Sequence, residues 1–247
     1  MGCDIHMITE IRRGGAWQEA APTIPCADCD STGKRETGNC YWCRGRGKLS
    51  RYNGRNYHVF SVLADVRNGH GEFKMASIAP GRGVPADSLA AKNRENCGCE
   101  GDEDGECEHI WLGDHSHTWA SLAELLAYDW DKRVPVEGWV SEEQFRSFRE
   151  KGKPDSYCGG VAGRLVRHIG NSEMSQRLDK PRRPEIEDLF NRTGGGKLSY
   201  YTLVRWEQKT GELCGSFYQQ FIPALKAYAE AEGVSHDDVR IVFGFDS

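Results

Sequence analysis

Apolar and polar residues alternate along CDIHMITEIRR, near the start of the chain. This two-residue period predicts a β-strand with Asp4, His6 and Ile8 on one face and Ile5, Met7 and Thr9 on the other. Gly14-Gly15 then reads as a hairpin turn into AWQEA. Tyr57, Phe60, Leu63, Ala64 and Val66 fall at helical spacing, which predicts a helix over YHVFSVLADVR that ends at Asn68-Gly69. Ser121 with Glu124, and Ser141 with Gln144, are capping-box pairs that open the helices LAELLAYDW and EEQFRSFREK, the second closed by Gly152. Proline and glycine between Lys180 and Gly196 predict a loop or hinge. KLSYYTLVRWE is rich in β-formers and predicts a strand, and FIPALKAYAEAEG predicts a helix with Pro223 in its first turn. The continuous apolar run in DVRIVFGFDS suits a strand buried on both faces. The sum is an α+β fold: a small mixed or antiparallel sheet with packed helices. No internal repeat is evident.

Against this pattern two stretches look inserted. Residues 25–48 carry Cys26, Cys29, Cys40 and Cys43 as two Cys-x-x-Cys pairs, and residues 93–110 carry Cys97, Cys99, Cys107 and His109 in a segment too polar to order itself by burial. Two Cys-x-x-Cys turns supply the four soft ligands that a tetrahedral structural zinc prefers, and Gly33, Gly45 and Gly47 stand where such a turn needs left-handed backbone. Disulfides or free thiols are the alternative for the first set, and a hydrated acidic loop for the second. The chain is read as one α+β domain spanning 1–247, with a zinc knuckle at 25–48 and a second metal-binding insert at 93–110.

Composition narrows the classes. At 247 residues the chain can bury a substantial core, and 38% apolar content fits a globular protein. No apolar run approaches a membrane span, and MGCDIHMITE lacks the pattern of a signal peptide, so a cytosolic location is expected, where thiols stay reduced. A formal net charge of −5 argues against a general nucleic-acid coat but leaves room for a local basic patch.

Candidate chemistry lies elsewhere. Asp4 and His6, and His115 and His117 just after Asp114, have the every-second-residue spacing that aims two side chains to one face of an extended segment. Brought together, Asp4, His6, His115 and His117 could hold a further divalent metal with an open position. Asp114, Asp246 or Asp65 would then serve as general base or extra ligand, and Arg55 or Arg67 would neutralise a phosphate. The competing interpretation is a buried Asp–His tie and a helix-capping segment. The knuckle offers a different chemistry: Tyr41, Trp42, Arg44, Arg46, Lys48 and Arg51 combine aromatics with cations, as nucleic-acid or host-protein binding requires.

Two resemblances bear on these readings. Cys40-x-x-Cys43-x-Gly45-x-Gly47 resembles one repeat of the cysteine-rich zinc region of DnaJ chaperones, with Ser31 departing from that pattern in the first half; the resemblance implies the metal site alone. MGCDIH, RNYHVFSVLADVRN, DHSHTWASLAELLAYDW and VRIVFGFDS together resemble a bacteriophage protein group that opens with Met-Gly-Cys-Asp-Ile-His, which implies a phage origin and action in a host cytoplasm. The resulting expectation is a zinc-stabilised, metal-dependent hydrolase of a phosphoester in a nucleotide or nucleic acid. Its alternative is a non-enzymatic module that binds nucleic acid or a host protein.

Overall fold

The computed structural model describes residues 2–41, 43–49, 51–69, 73–91, 110–179 and 198–246. The fold is α+β. The contacts divide the chain into two compact units, one formed by Met1–Lys132 with Lys209–Ser247 and the other by Arg133–Gln208.

The first unit is built on an antiparallel sheet in the order β2 (Ala16–Glu19), β1 (Ile5–Arg13), β11 (Val239–Phe245), β7 (His115–Ser121). All seven residues of β11 are buried, because the strand is flanked by β1 and β7 and covered on both faces. One face, with Ile5, Met7 and Ile11 of β1 and Ile241, Phe243 and Phe245 of β11, joins the main core. Helix α1 (Tyr57–Ala64) and helix α6 (Ile222–Glu232) supply Val59, Phe60, Leu63 and Leu225 to that core. The opposite face carries Ile8 and Val242, packed with Leu112 and Ala90 in a smaller cluster. The same face buries Glu10 beside Arg240, its register partner across the two strands.

Local signals explain most helix ends. The Asn56 side chain accepts from the His58 and Val59 amides to start α1, and α1 stops at Ala64 because Asp65 turns left-handed at φ 62°, a few residues before the Asn68-Gly69 stop that the pattern predicts. Helix α2 (Leu122–Ala127) begins with the full Ser121–Glu124 capping box. A short helix α5 (Thr210–Cys214) and a π-helical turn at Phe217–Phe221 lead into α6.

The second unit has a three-stranded sheet in the order β8 (Arg133–Ser141), β10 (Ser199–Lys209), β9 (Val166–His168), with β9 parallel to β10. Alternate residues Val134, Val136 and Val140 of β8 are buried. Helix α3 (Glu142–Lys151) ends at Gly152 with φ 75°, as its sequence predicts, and α4 spans Asn171–Asp179. Among the described residues no helix is long and apolar enough to cross a membrane.

Candidate metal centre

The knuckle is framed by two short antiparallel strand pairs, β3 (Ile24–Pro25) with β6 (Lys48–Leu49) and β4 (Lys34–Arg35) with β5 (Gly38–Asn39). Between them Cys26, Cys29, Cys40 and Cys43 are all buried, and their sulfurs lie within 4.8 Å of one another. Cys26 and Cys40 sulfurs are 3.9 Å apart, and those of Cys29 and Cys43 are 3.7 Å apart. A tetrahedron with Zn–S bonds of about 2.3 Å has edges of about 3.8 Å. The four thiols are therefore compatible in number, kind and spacing with a structural zinc, and such a metal would be held by those four residues alone.

The surrounding backbone suits thiolates as well. The Gly33 amide donates to Cys29 Sγ and the Gly47 amide to Cys43 Sγ, each at 3.2 Å. Burial pushes the Cys43 thiol up, but the Gly47 N–H and the neighbouring thiols outweigh it and bring the pKa down to about 7. Gly33 and Gly47 sit at φ 75° and 71°, and a Cβ on either would overlap a facing carbonyl, that of Gly45 or of Ser31.

These contacts reveal an internal repeat that the sequence pattern conceals. The backbone amide contacts of one half recur fourteen positions later. Cys26 N–H donates to Gly47 O at 3.0 Å and Cys40 N–H to Gly33 O at 2.8 Å. Thr32 N–H donates to Cys29 O at 2.9 Å and Arg46 N–H to Cys43 O at 3.0 Å. Asp30 and Arg44 share φ values of 47° and 51°. Residues 26–35 and 40–49 are thus two copies of one turn, related by a local pseudo-twofold axis.

The other predicted ligands fare differently. Cys97, Cys99, Cys107 and His109 lie outside the described residues. Asp4, His6 and Asp246 do meet: His6 Nε2 is 3.0 Å from Asp246 Oδ2, and Asp246 Oδ1 accepts from the Asp4 amide at 2.8 Å. The Asp4 carboxylate is taken by Arg55, whose Nε donates to Oδ1 at 2.6 Å, and that guanidinium holds the Asp4 carboxyl below the usual range. Burial pushes Asp246 up, yet the His6 bond and the Asp4 amide bring it below its ordinary value. The His6 ring packs 4.2 Å from that of Trp111.

His115 and His117 do not share a face. Phe243 pairs with Thr118, but Phe245 pairs with His115, so β7 carries one extra residue, and Ser116 takes φ 52°. This bulge reverses the alternation. His115 stacks on Phe245, whereas His117 lies over Gly244, where a Cβ would approach its Cδ2 to 2.5 Å, and Nε2 donates to Gly113 O at 2.9 Å. Asp65 caps α1 and accepts from Asn68 at 2.6 Å, and Asp114 is exposed, its amide donating to Phe245 O at 2.6 Å. Among the described residues, the four-cysteine group is the one set of three or more ligand-type side chains whose donor atoms converge.

On the knuckle's outer surface, Arg44, Arg46, Lys48 and nearby Arg51 are exposed, and Tyr41 is 82% exposed. Comparison with models of protein families, with curated proteins and with solved structures gives no match.

Proposed function

We propose that the protein is a zinc-stapled binding module whose knuckle contacts nucleic acid. The observation that carries this reading is the placement of Tyr41, Arg44, Arg46 and Lys48 on the exposed side of a turn whose interior is occupied by four convergent thiols. A staple of this kind fixes a surface that has too little apolar mass to order itself, and it does so without offering an open coordination position. Because the whole chain carries a net charge of −5, attraction for a polyanion has to come from such a local patch. The hydrolase alternative needs His6, His115 and His117 around one metal. With His115 and His117 on opposite faces of β7, support for that arrangement is lacking. Action in a bacterial host cytoplasm is part of the proposal and rests on the Met-Gly-Cys-Asp-Ile-His opening.

The test is binding of labelled nucleic acid to the full chain, followed by anisotropy, with zinc measured on the same sample. Zinc bound to the knuckle and binding that weakens with salt and disappears on chelation support the module. Protein that holds zinc yet ignores nucleic acid at low salt removes the reading and leaves a protein partner for the same surface.

A further inference from the structure

The pseudo-twofold repeat supplies an internal comparison, because one backbone carries two different sets of side chains. Positions 26–35 correspond to 40–49. The first copy has Asp28 and Asp30 against Lys34 and Arg35, whereas the second has Arg44, Arg46 and Lys48 with no carboxylate. Asp30 is matched by Arg44, Thr32 by Arg46 and Ala27 by Tyr41. Two charges of the first copy, Asp28 and Arg35, pair within the knuckle. Asp28 takes the Arg35 guanidinium, and its Oδ2 accepts from the Cys40 thiol at 3.1 Å. In the second copy, the Arg46 Nε donates to the Cys43 carbonyl at 3.1 Å, and the side chain remains exposed.

Both copies make the same amide-to-sulfur bonds and the same turn, so the metal cage does not require the cationic set. The backbone points the same way. A left-handed residue is tolerated by Asp, whose side chain bonds locally, but not readily by Arg, and Arg44 nevertheless adopts it at φ 51°. An exposed cation on an unfavourable backbone conformation is a feature that folding does not explain.

Resting on the nucleic-acid reading above, we infer that the second copy alone is the contact surface and that its ligand is single-stranded nucleic acid. An unpaired base would stack on Tyr41 while Arg44, Arg46 and Lys48 follow the phosphates. Stacking needs a base face that a duplex does not offer, and the knuckle's two-residue strands are too short to form a ribbon that fills a major groove. Recognition of this kind tolerates any sequence.

The experiment exchanges one copy for the other. In the triple variant Tyr41→Ala, Arg44→Asp, Arg46→Thr, the second copy takes the side chains that the first already uses. Anisotropy is measured with an oligothymidylate of about 15 nucleotides and with a duplex of the same length, and zinc content is measured throughout. The wild type is expected to prefer the single strand. Three neutralised phosphates give a log–log salt slope of about −2, and therefore a roughly 18-fold loss of affinity when salt is quadrupled. Tyr41→Ala alone should weaken single-strand binding about tenfold, the triple variant should abolish it with zinc retained, and Asp30→Asn should not weaken it. Wild-type protein that binds neither oligonucleotide refutes the nucleic-acid reading itself. Equal binding of duplex and single strand, a triple variant that still binds, or one that loses zinc overturns this assignment alone.

Discussion

Glu10 and Arg240 give the sharpest prediction about what holds the first unit together. Glu10 is fully buried, and its Oε1 accepts from Ser88 Oγ and the Leu89 amide, each at 2.7 Å, while Oε2 takes Arg240 Nε at 2.7 Å. The guanidinium is 4% exposed as a residue, stacks 3.7 Å above the Trp17 ring and reaches Asp87 Oδ1 at 2.9 Å; Trp17 Nε1 closes the circuit to Asp87 Oδ2 at 2.9 Å. Arg240→Met would leave a buried carboxylate with two neutral donors and no cation. Removing one member of a buried pair costs about 3–5 kcal/mol, and the lost cation–π stack lies within that range. Glu10→Gln should cost less, because Gln can still accept from Ser88 and Leu89, and Arg240 keeps Asp87. The double variant Glu10→Gln/Arg240→Met should recover part of the loss, with a coupling of roughly 2 kcal/mol. Guanidinium unfolding followed by hydrogen exchange at the β11 amides reads the cycle in the sheet where the pair sits. A cost for Arg240→Met below about 1 kcal/mol, or single-variant effects that simply add, would falsify the view that this ion pair is energetically coupled.

Gly47→Ala should weaken zinc retention against a chelator far more than Gly38→Ala, because the first Cβ would meet the Ser31 carbonyl while the second has no atom within 4 Å. Equal retention would mean that the two copies need not approach so closely. Acid stability follows from four carboxylates held below their usual range. Arg55 does this for Asp4 and Arg82 for Glu124. At Asp87 and Asp246, burial acts the other way but is outweighed by Arg240 and Trp17 in the first and by His6 and the Asp4 amide in the second. Groups with depressed folded values contribute stability that is complete above the unfolded carboxylate range, about pH 4, and is lost as pH falls through the folded values. The melting temperature should therefore decline on acidification below that range. An unchanged midpoint down to the folded values would show that these pairs do not stabilise the fold.

What the sequence determined by itself is local. The two-residue alternation of β1, the apolar run of β11 and the capping pair that opens α3 are legible because each is set by neighbours a few residues apart. The cysteine spacing is legible for the same reason, since each Cys-x-x-Cys turn delivers two thiols without help from the rest of the chain. Strand β8 is hidden by Pro135 and Gly138, and β7 by its polar His-Ser-His start, so both are strands only because a sheet accepts them. The fourteen-residue repeat leaves matched residues only at Cys26 and Cys40, Cys29 and Cys43, Gly33 and Gly47, and Lys34 and Lys48, and divergent side chains elsewhere hide it until hydrogen bonds are compared. Tertiary structure alone decided the fate of the histidines. A single extra residue at Ser116, imposed by pairing with β11, turns His115 and His117 to opposite faces, and no periodicity within the segment encodes that choice.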